Sequence, residues 1–370
     1  MDSKRTTDRR TFLYTSGMAA GALALSLPVT SACRNTQKKD KLGIALVGLG
    51  YYSTDLLAPA LQETQHAYLA GIVTGSPDKA RKWQEQYQIP EKNVYSYETF
   101  DQIKDNPDID VVYIVLPNSM HKEYTIRGAK AGKHVFCEKP MAVTAADCRE
   151  MIDACKNNGV KLAIGYRMQH EPHTQQLMRF AEENTFGPIR MITAGAGWRW
   201  DNPGDHWKNK KSYGGGAMMD MGVYSLQAAR YAMGEEPVAV AAQQYTRRPD
   251  VFSEVDEFTS FQLQFPGGAL ANLHTSLGVG MNYLQVNADN GWYRVDPFSA
   301  YNGISGESSN GPIAFEAGNQ QARQMDDDCL AIINGQDLMV PGEEGLRDIR
   351  IVEAIRQSVA EGGRWIDLQG

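Results

Sequence analysis

The sequence predicts an α/β chain in two parts: a doubly wound parallel sheet over residues 41–163, then an α+β domain over 164–370 built on a large, mostly antiparallel sheet. Three observations carry this expectation. Strand-like and helix-like segments alternate as far as Ala163, the pattern of a parallel sheet with helical crossovers. Residues 110–116 form a continuous run rich in β-branched and aromatic side chains, as a strand covered on both faces should. After Tyr166, long alternating strands follow one another with few helices between them. A chain of 370 residues suffices for two domains with ordinary cores.

In the first part, residues 42–47 read as an apolar strand and 53–64 as a helix following a glycine turn. Residues 68–73 are a second strand, and 77–87 a charged helix with Pro77 in its first turn. Strands at 110–116, 133–137 and 161–165 follow, with a helix at 144–158 between the last two. In the second part, 172–184 and 217–233 read as helices, and 189–197, 238–246, 257–265 and 269–278 as strands. Pro266-Gly267-Gly268 and Asn290-Gly291 are hairpin signals, the second inside a strand pair over 283–296. Late helices are expected at 320–334 and 345–360.

A net charge of −7 offers no basic footprint for nucleic acid. Arg9-Arg10-Thr11-Phe12-Leu13, followed by small and apolar residues from Gly17 to Ala32, reads as a twin-arginine export signal occupying residues 1–33. A periplasmic location is therefore expected, with a short arm at 34–40. The apolar stretch is too short and interrupted for a membrane span. Ser31-Ala32-Cys33 leaves a lipid anchor at Cys33 and plain cleavage after Ala32 both open. Cys137, Cys148, Cys155 and Cys329 lack metal-ligand spacing and are expected as buried free thiols, and no metal is expected.

Gly48-Leu49-Gly50-Tyr51-Tyr52-Ser53 follows the first strand and opens a helix, the context in which glycines cradle a pyrophosphate. Gly48 permits the turn, Gly50 the close approach, and Ser53 is small enough for helix–strand packing. Where an acid would bind the ribose 2′-hydroxyl of NAD, the chain carries Thr74, Ser76 and Lys79. Two hydroxyls and a cation suit a 2′-phosphate, so NADP is expected, with NAD as the alternative if Thr74 and Ser76 only shape a turn.

Two more groups fall at the carboxyl edge of the expected sheet, where such folds bind ligands. They are Leu116-Pro117-Asn118 with His121, and Glu138-Lys139-Pro140. Asp220 and Tyr224 lie four apart on the helix after Gly214-Gly215-Gly216, hence on one face. An ammonium about 5 Å from a phenol favours its ionised form by ~3 kcal/mol at an effective dielectric near 20. Lys139 beside Tyr224 would thus create a usable acid/base. Asp220 would orient a substrate hydroxyl or the lysine. Tyr224 as a packed aromatic and Arg167 as a structural ion-pair partner remain alternatives. Trp198, Trp200 and Trp207 could form a sugar platform or a core. His170-Glu171-Pro172-His173 is read as structural, and Asp326-Asp327-Asp328 as a solvated helix face.

Taken together, the glycine turn, Leu116-Pro117-Asn118 with His121, Cys137-Glu138-Lys139-Pro140-Met141 and Gly214-Gly215-Gly216-Ala217-Met218-Met219-Asp220 with Tyr224 resemble the glucose–fructose oxidoreductase and inositol dehydrogenase family, Gfo/Idh/MocA. Gly165-Tyr166-Arg167 and Gly234-Glu235-Glu236-Pro237 extend the resemblance, which leans to the glucose–fructose oxidoreductase branch. It implies a Rossmann-type cofactor domain, sugar substrates, Lys139, Asp220 and Tyr224 as catalytic positions, and Arg167 and Trp207 in the sugar pocket. It further implies oxidation of a sugar hydroxyl carbon with tightly held NADP, recycled onto a second sugar. A glycoside hydrolase working through transient oxidation and a non-catalytic sugar-binding protein are the alternatives. A homo-oligomer is expected from the large sheet.

Overall fold

A computed structural model describes residues 39–202, 204–316 and 318–368. The twin-arginine motif, the cleavage region, Cys33 and most of the 34–40 arm lie outside the described residues.

The first sheet grows from β1 (Leu42–Val47), whose six residues are all buried. A π-helical turn at Tyr52–Leu57 runs into α1 (Ala58–Ala60), so the first helix is shorter than expected and starts with a widened turn. Then come β2 (Ala67–Val73), α2 (Pro77–Tyr87), β3 (Val94–Tyr95) and β4 (Val111–Ile114). The side chain of Ser76 caps α2 and Pro77 opens it, fixing the start read from the sequence. Next follow α3 (His121–Lys130), β5 (His134–Cys137), α4 (Ala145–Asn157), capped by Thr144, and β6 (Leu162–Ile164). The order β3-β2-β1-β4-β5-β6 is parallel throughout and doubly wound, with its switch point between β1 and β4.

α3 escaped the periodicity argument for a physical reason. Its buried face consists of His121, Tyr124, Thr125, Gly128 and Ala129, polar or small side chains that give no apolar stripe.

The second part opens with α5 (Pro172–Glu182) and β7 (Ile189–Gly197). A π turn at Met218–Gly222 leads into α6 (Val223–Met233), which ends at Gly234 in the left-handed region. Then come β8 (Ala239–Tyr245), β9 (Phe258–Gln264), β10 (Leu270–Ser276), β11 (Met281–Ala288), β12 (Gly291–Val295), β13 (Gly306–Ser308) and β14 (Gly311–Ile313). The chain closes with α7 (Gln320–Asn334), α8 (Gly342–Ala360) and β15 (Ile366–Asp367). The nine-stranded order is β14-β13-β12-β11-β7-β10-β9-β8-β15, and only the β7–β10 pair is parallel.

Packing crosses the division read at 163/164. Ala322, Met325 and Cys329 of α7 share a core with Ile44, Leu46, Val111 and Tyr113 of the first sheet. That docking corrects the reading of Asp326-Asp327-Asp328 as a solvated face. Asp326 accepts the backbone N–H groups of Gln65 and His66, Asp327 faces His170 Nδ1 at 2.8 Å, and Asp328 is buried. Cys137, Cys148, Cys155 and Cys329 are buried free thiols. His173 and Glu171 pair with each other at 2.7 Å, and no group of three or more metal-ligating side chains occurs among the described residues. No described helix is long and apolar enough to cross a membrane.

Candidate active site

The glycine loop shows why each small residue stands where it does. Gly48 has φ +95°, and a Cβ there would lie 2.5 Å from the Val115 carbonyl oxygen. A Cβ on Gly50 would meet nothing within 4 Å, so that side of the loop is open to a ligand. Ser53 is buried, and its hydroxyl donates to the Gly48 carbonyl at 2.6 Å, closing the turn. Lys79 Nζ donates to the Leu49 carbonyl at 2.9 Å, the Ser76 amide donates to Thr74 Oγ1, and Ser76 Oγ caps α2. Thr74, Ser76 and Lys79 are thus gathered at one turn beside the glycine loop. Tyr51 is exposed, while Tyr52 packs towards Tyr301 with ring centres 6.2 Å apart. An open glycine cradle at a helix start, on the switch-point edge of a parallel sheet, fits a dinucleotide.

The loops after β4 and β5 close the other side. Leu116 and Pro117 lead to Asn118, whose amide donates to the Gly214 carbonyl at 2.7 Å and so ties this edge to the glycine-rich segment. His121, expected to reach the cofactor, is instead a buried brace. Its ring nitrogens face the Pro140 carbonyl at 3.0 Å and the Leu116 carbonyl at 2.8 Å, and burial lowers its pKa. Glu138 Oε1 accepts the Tyr113 hydroxyl at 2.7 Å, and Tyr113 in turn accepts from Gln324 of α7 at 3.0 Å. Burial pushes the Glu138 carboxyl up, opposed by Tyr113 and Lys139. Gly165 is required beside it, because a Cβ there would sit 2.6 Å from Glu138 Oε1.

Tyr224 is the centre of the arrangement. Lys139 Nζ lies 4.4 Å and the Arg167 guanidinium 5.2 Å from its ring centre. Burial alone would raise the phenol's pKa, but Arg167 first and Lys139 second outweigh it, and the net direction is down. Arg167 is itself buried and fixed by the Ser299 carbonyl at 2.5 Å, the Ala300 carbonyl at 3.2 Å and Gln320, with Tyr301 stacked at 4.5 Å. It is at once a structural partner and a neighbour of Tyr224. Sequence reasoning credited the cationic effect to Lys139 alone; the larger share belongs to Arg167.

Asp220 departs from expectation. The turn carrying it is π-helical rather than α-helical, and Lys139 Nζ donates to its backbone carbonyl at 2.7 Å, not to its carboxylate. The carboxylate instead accepts Lys208 Nζ at 2.9 and 2.8 Å and the Trp198 indole N–H at 3.2 Å. Burial would raise its pKa, but Lys208 and then Lys139 hold it below the ordinary value. The Lys208 ammonium also lies 5.0 Å from the Trp198 ring and 5.6 Å from those of Trp200 and Trp207. Lys208 and Tyr301 were missed by sequence reasoning. The one available signal for Lys208 was its place directly after Trp207 in an aromatic loop.

A family model described as "Oxidoreductase family, NAD-binding Rossmann fold" matches residues 42–166, and the GFO/IDH/MocA C-terminal domain matches 174–294. The chain is 44% identical to an aldose-aldose oxidoreductase from Caulobacter crescentus solved with glycerol, at TM-score 0.85, over 89% of this chain and 100% of that one. It is 25% identical to D-xylose 1-dehydrogenase [NADP(+)] of Haloarcula marismortui over 87% of this chain and 92% of that protein. Inositol 2-dehydrogenase of Rhizobium meliloti is also 25% identical, over 71% of this chain and 82% of that protein. With family models on both halves and a 44% identical relative spanned end to end, the chain belongs to the GFO/IDH/MocA oxidoreductases, with an NAD-binding Rossmann fold.

Proposed function

We propose that the protein oxidises a hydroxyl-bearing carbon of an aldose with a tightly held NADP, and passes the reducing equivalents to a second aldose in the same site. The observation that carries this reading is the buried Tyr224 flanked by Lys139 and Arg167 beside an open glycine cradle. Gly48, Leu49, Gly50, Tyr51 and Tyr52 would hold the pyrophosphate side of the cofactor, and Thr74, Ser76 and Lys79 its 2′-phosphate end. Leu116, Pro117, Asn118 and Glu138 would line its nicotinamide side. When bound, the nicotinamide supplies a two-electron acceptor for the hydride on the sugar carbon.

The protein's own residues handle the proton. Tyr224, with its pKa lowered by Arg167 and Lys139, takes the hydroxyl proton as the carbonyl forms and returns it in the reductive half. Lys139 stabilises the phenolate and is held by the Asp220 carbonyl. Asp220 accepts a hydroxyl of the sugar, whose C–H face packs against Trp207 and Trp198. Recycling between two aldoses suits export through the twin-arginine leader, because the periplasm offers no replenished nicotinamide pool. The aldose-aldose oxidoreductase at 44% identity supports the same reading.

Mixing the protein and NADP with a panel of aldoses should produce a nicotinamide absorbance change that Tyr224→Phe abolishes and Lys139→Ala slows near neutral pH. Aldose binding without any such change would leave only a sugar-binding protein. Release of the aglycone from a nitrophenyl glycoside would favour the hydrolase. Tighter binding of NAD than of NADP would remove the 2′-phosphate assignment.

A further inference from the structure

The site holds three cations, Lys139, Arg167 and Lys208, and the carboxylate of Asp220 lies within reach of two of them. An anion so close to Lys139 would draw its ammonium off Tyr224 and cancel its effect. In the structure the hydrogen bonds of that carboxylate go elsewhere. The Asp220 carboxylate is turned to Lys208, which donates to both of its oxygens, and to Trp198, while Lys139 meets only the Asp220 backbone carbonyl.

Lys208 is placed by backbone, not by chance. The Gly216 N–H donates to the Lys208 carbonyl at 2.9 Å, and a Cβ on Gly215 would lie 2.2 Å from that same oxygen. The Asp220 N–H donates to the Gly216 carbonyl at 3.0 Å, so one short segment fixes both partners of the ion pair. Both side chains are largely buried, at 18% and 13% exposure, and three indole rings surround the ammonium. A largely buried pair with this many fixed contacts holds one geometry.

We propose that Lys208 is a positioning residue that occupies the Asp220 carboxylate and thereby leaves the Lys139 ammonium to act on Tyr224. This rests on the reading of Tyr224 as the acid/base. The other groups facing Tyr224 are Arg167 after β6, Glu138 after β5, Tyr52 from the first π turn and Tyr301 after β12. His206 and Lys139 also face Asp220. All of these are unchanged in the variants below.

The test reads charge, not turnover. Tyrosinate absorbance is followed against pH on the full-length protein, and the Tyr224 step is the one that Tyr224→Phe removes. In Lys208→Met that step should move to higher pH. In Lys208→Met with Asp220→Asn it should return towards the parent, because no carboxylate remains to draw Lys139 away. Lys208→Arg should stay with the parent. A purely structural role would make the double variant at least as displaced as the single one. An unmoved step in Lys208→Met, an equal displacement in the double variant, or no step removed by Tyr224→Phe would each overturn the proposal. Failure of every aldose to react would instead sink the proposed function, while the tyrosinate steps would still decide the role of Lys208.

Discussion

Replacing Lys139 with methionine keeps most of the apolar stem and removes the charge, along with its hydrogen bond to the Asp220 carbonyl; the pH dependence then separates the electrostatic effect on Tyr224. The ammonium lies 4.4 Å from the ring centre in a buried setting. At an effective dielectric near 20, a unit charge at that distance contributes about 3–4 kcal/mol to the phenolate. Arg167 remains and carries its own share, so the phenol stays ionisable, but at higher pH. The sign follows directly: losing a cation raises the phenol's pKa, so the fold-loss is full where both phenols are protonated and shrinks as the pH rises through the two pKa values. On the order of 10²–10³-fold in kcat/KM should be lost near neutral pH and progressively regained on the alkaline side. Pre-steady-state nicotinamide absorbance with a reactive aldose, from about pH 6 to about pH 10, measures this. A loss equally deep at every pH would refute the reasoning, because it would mean that Lys139 acts by contact with substrate and not through the charge of Tyr224.

Gly215→Ala would drive a Cβ to 2.2 Å from the Lys208 carbonyl oxygen and 2.6 Å from its carbon. Overpacking against backbone should cost about 1–3 kcal/mol or more and lower turnover as the loop shifts; unchanged Tm and unchanged activity would contradict it. Arg230→Met leaves the buried Asp348 without its cation and Glu344 with Arg347 alone, breaking the tie between α6 and α8. It should lower stability by about 3–5 kcal/mol, read from the denaturant midpoint. Asp328→Asn tests a buried carboxyl with no hydrogen-bond partner among the described residues, pushed by burial from 3.8 to about 7. The folded state keeps a proton that the unfolded chain releases, so this group's contribution is full below 3.8 and is lost as the pH rises towards about 7. The stability of the variant relative to the parent should therefore improve across that window; a constant difference at all pH values would contradict this.

The elements that are short, apolar and capped were legible from sequence. The start of α2 follows from Ser76 and Pro77, and the limits of β7 and α7 match those read from the sequence. α3 was illegible because polar and small side chains make its buried face, so its docking is seen only in three dimensions. The two π turns were equally hidden, since one extra residue in a turn leaves no mark on composition. At the site, the sequence placed Lys139 beside Tyr224, and the two do lie together. Partner choice did not. That Asp220 gives its carbonyl to Lys139 and its carboxylate to Lys208 depends on side-chain direction and loop return, which spacing does not encode. The bracing contacts of His121 were hidden for the same reason: a motif position fixes where a residue lies, not which way its ring turns.

The most direct test of the proposed activity is the spectrum of the protein as purified, followed by two sugars in turn with no cofactor added. The account predicts bound nicotinamide whose absorbance rises with a first aldose and falls again with a second, through repeated cycles. Protein purified free of nucleotide, with turnover strictly dependent on added NADP and no return of the signal on the second aldose, would contradict it.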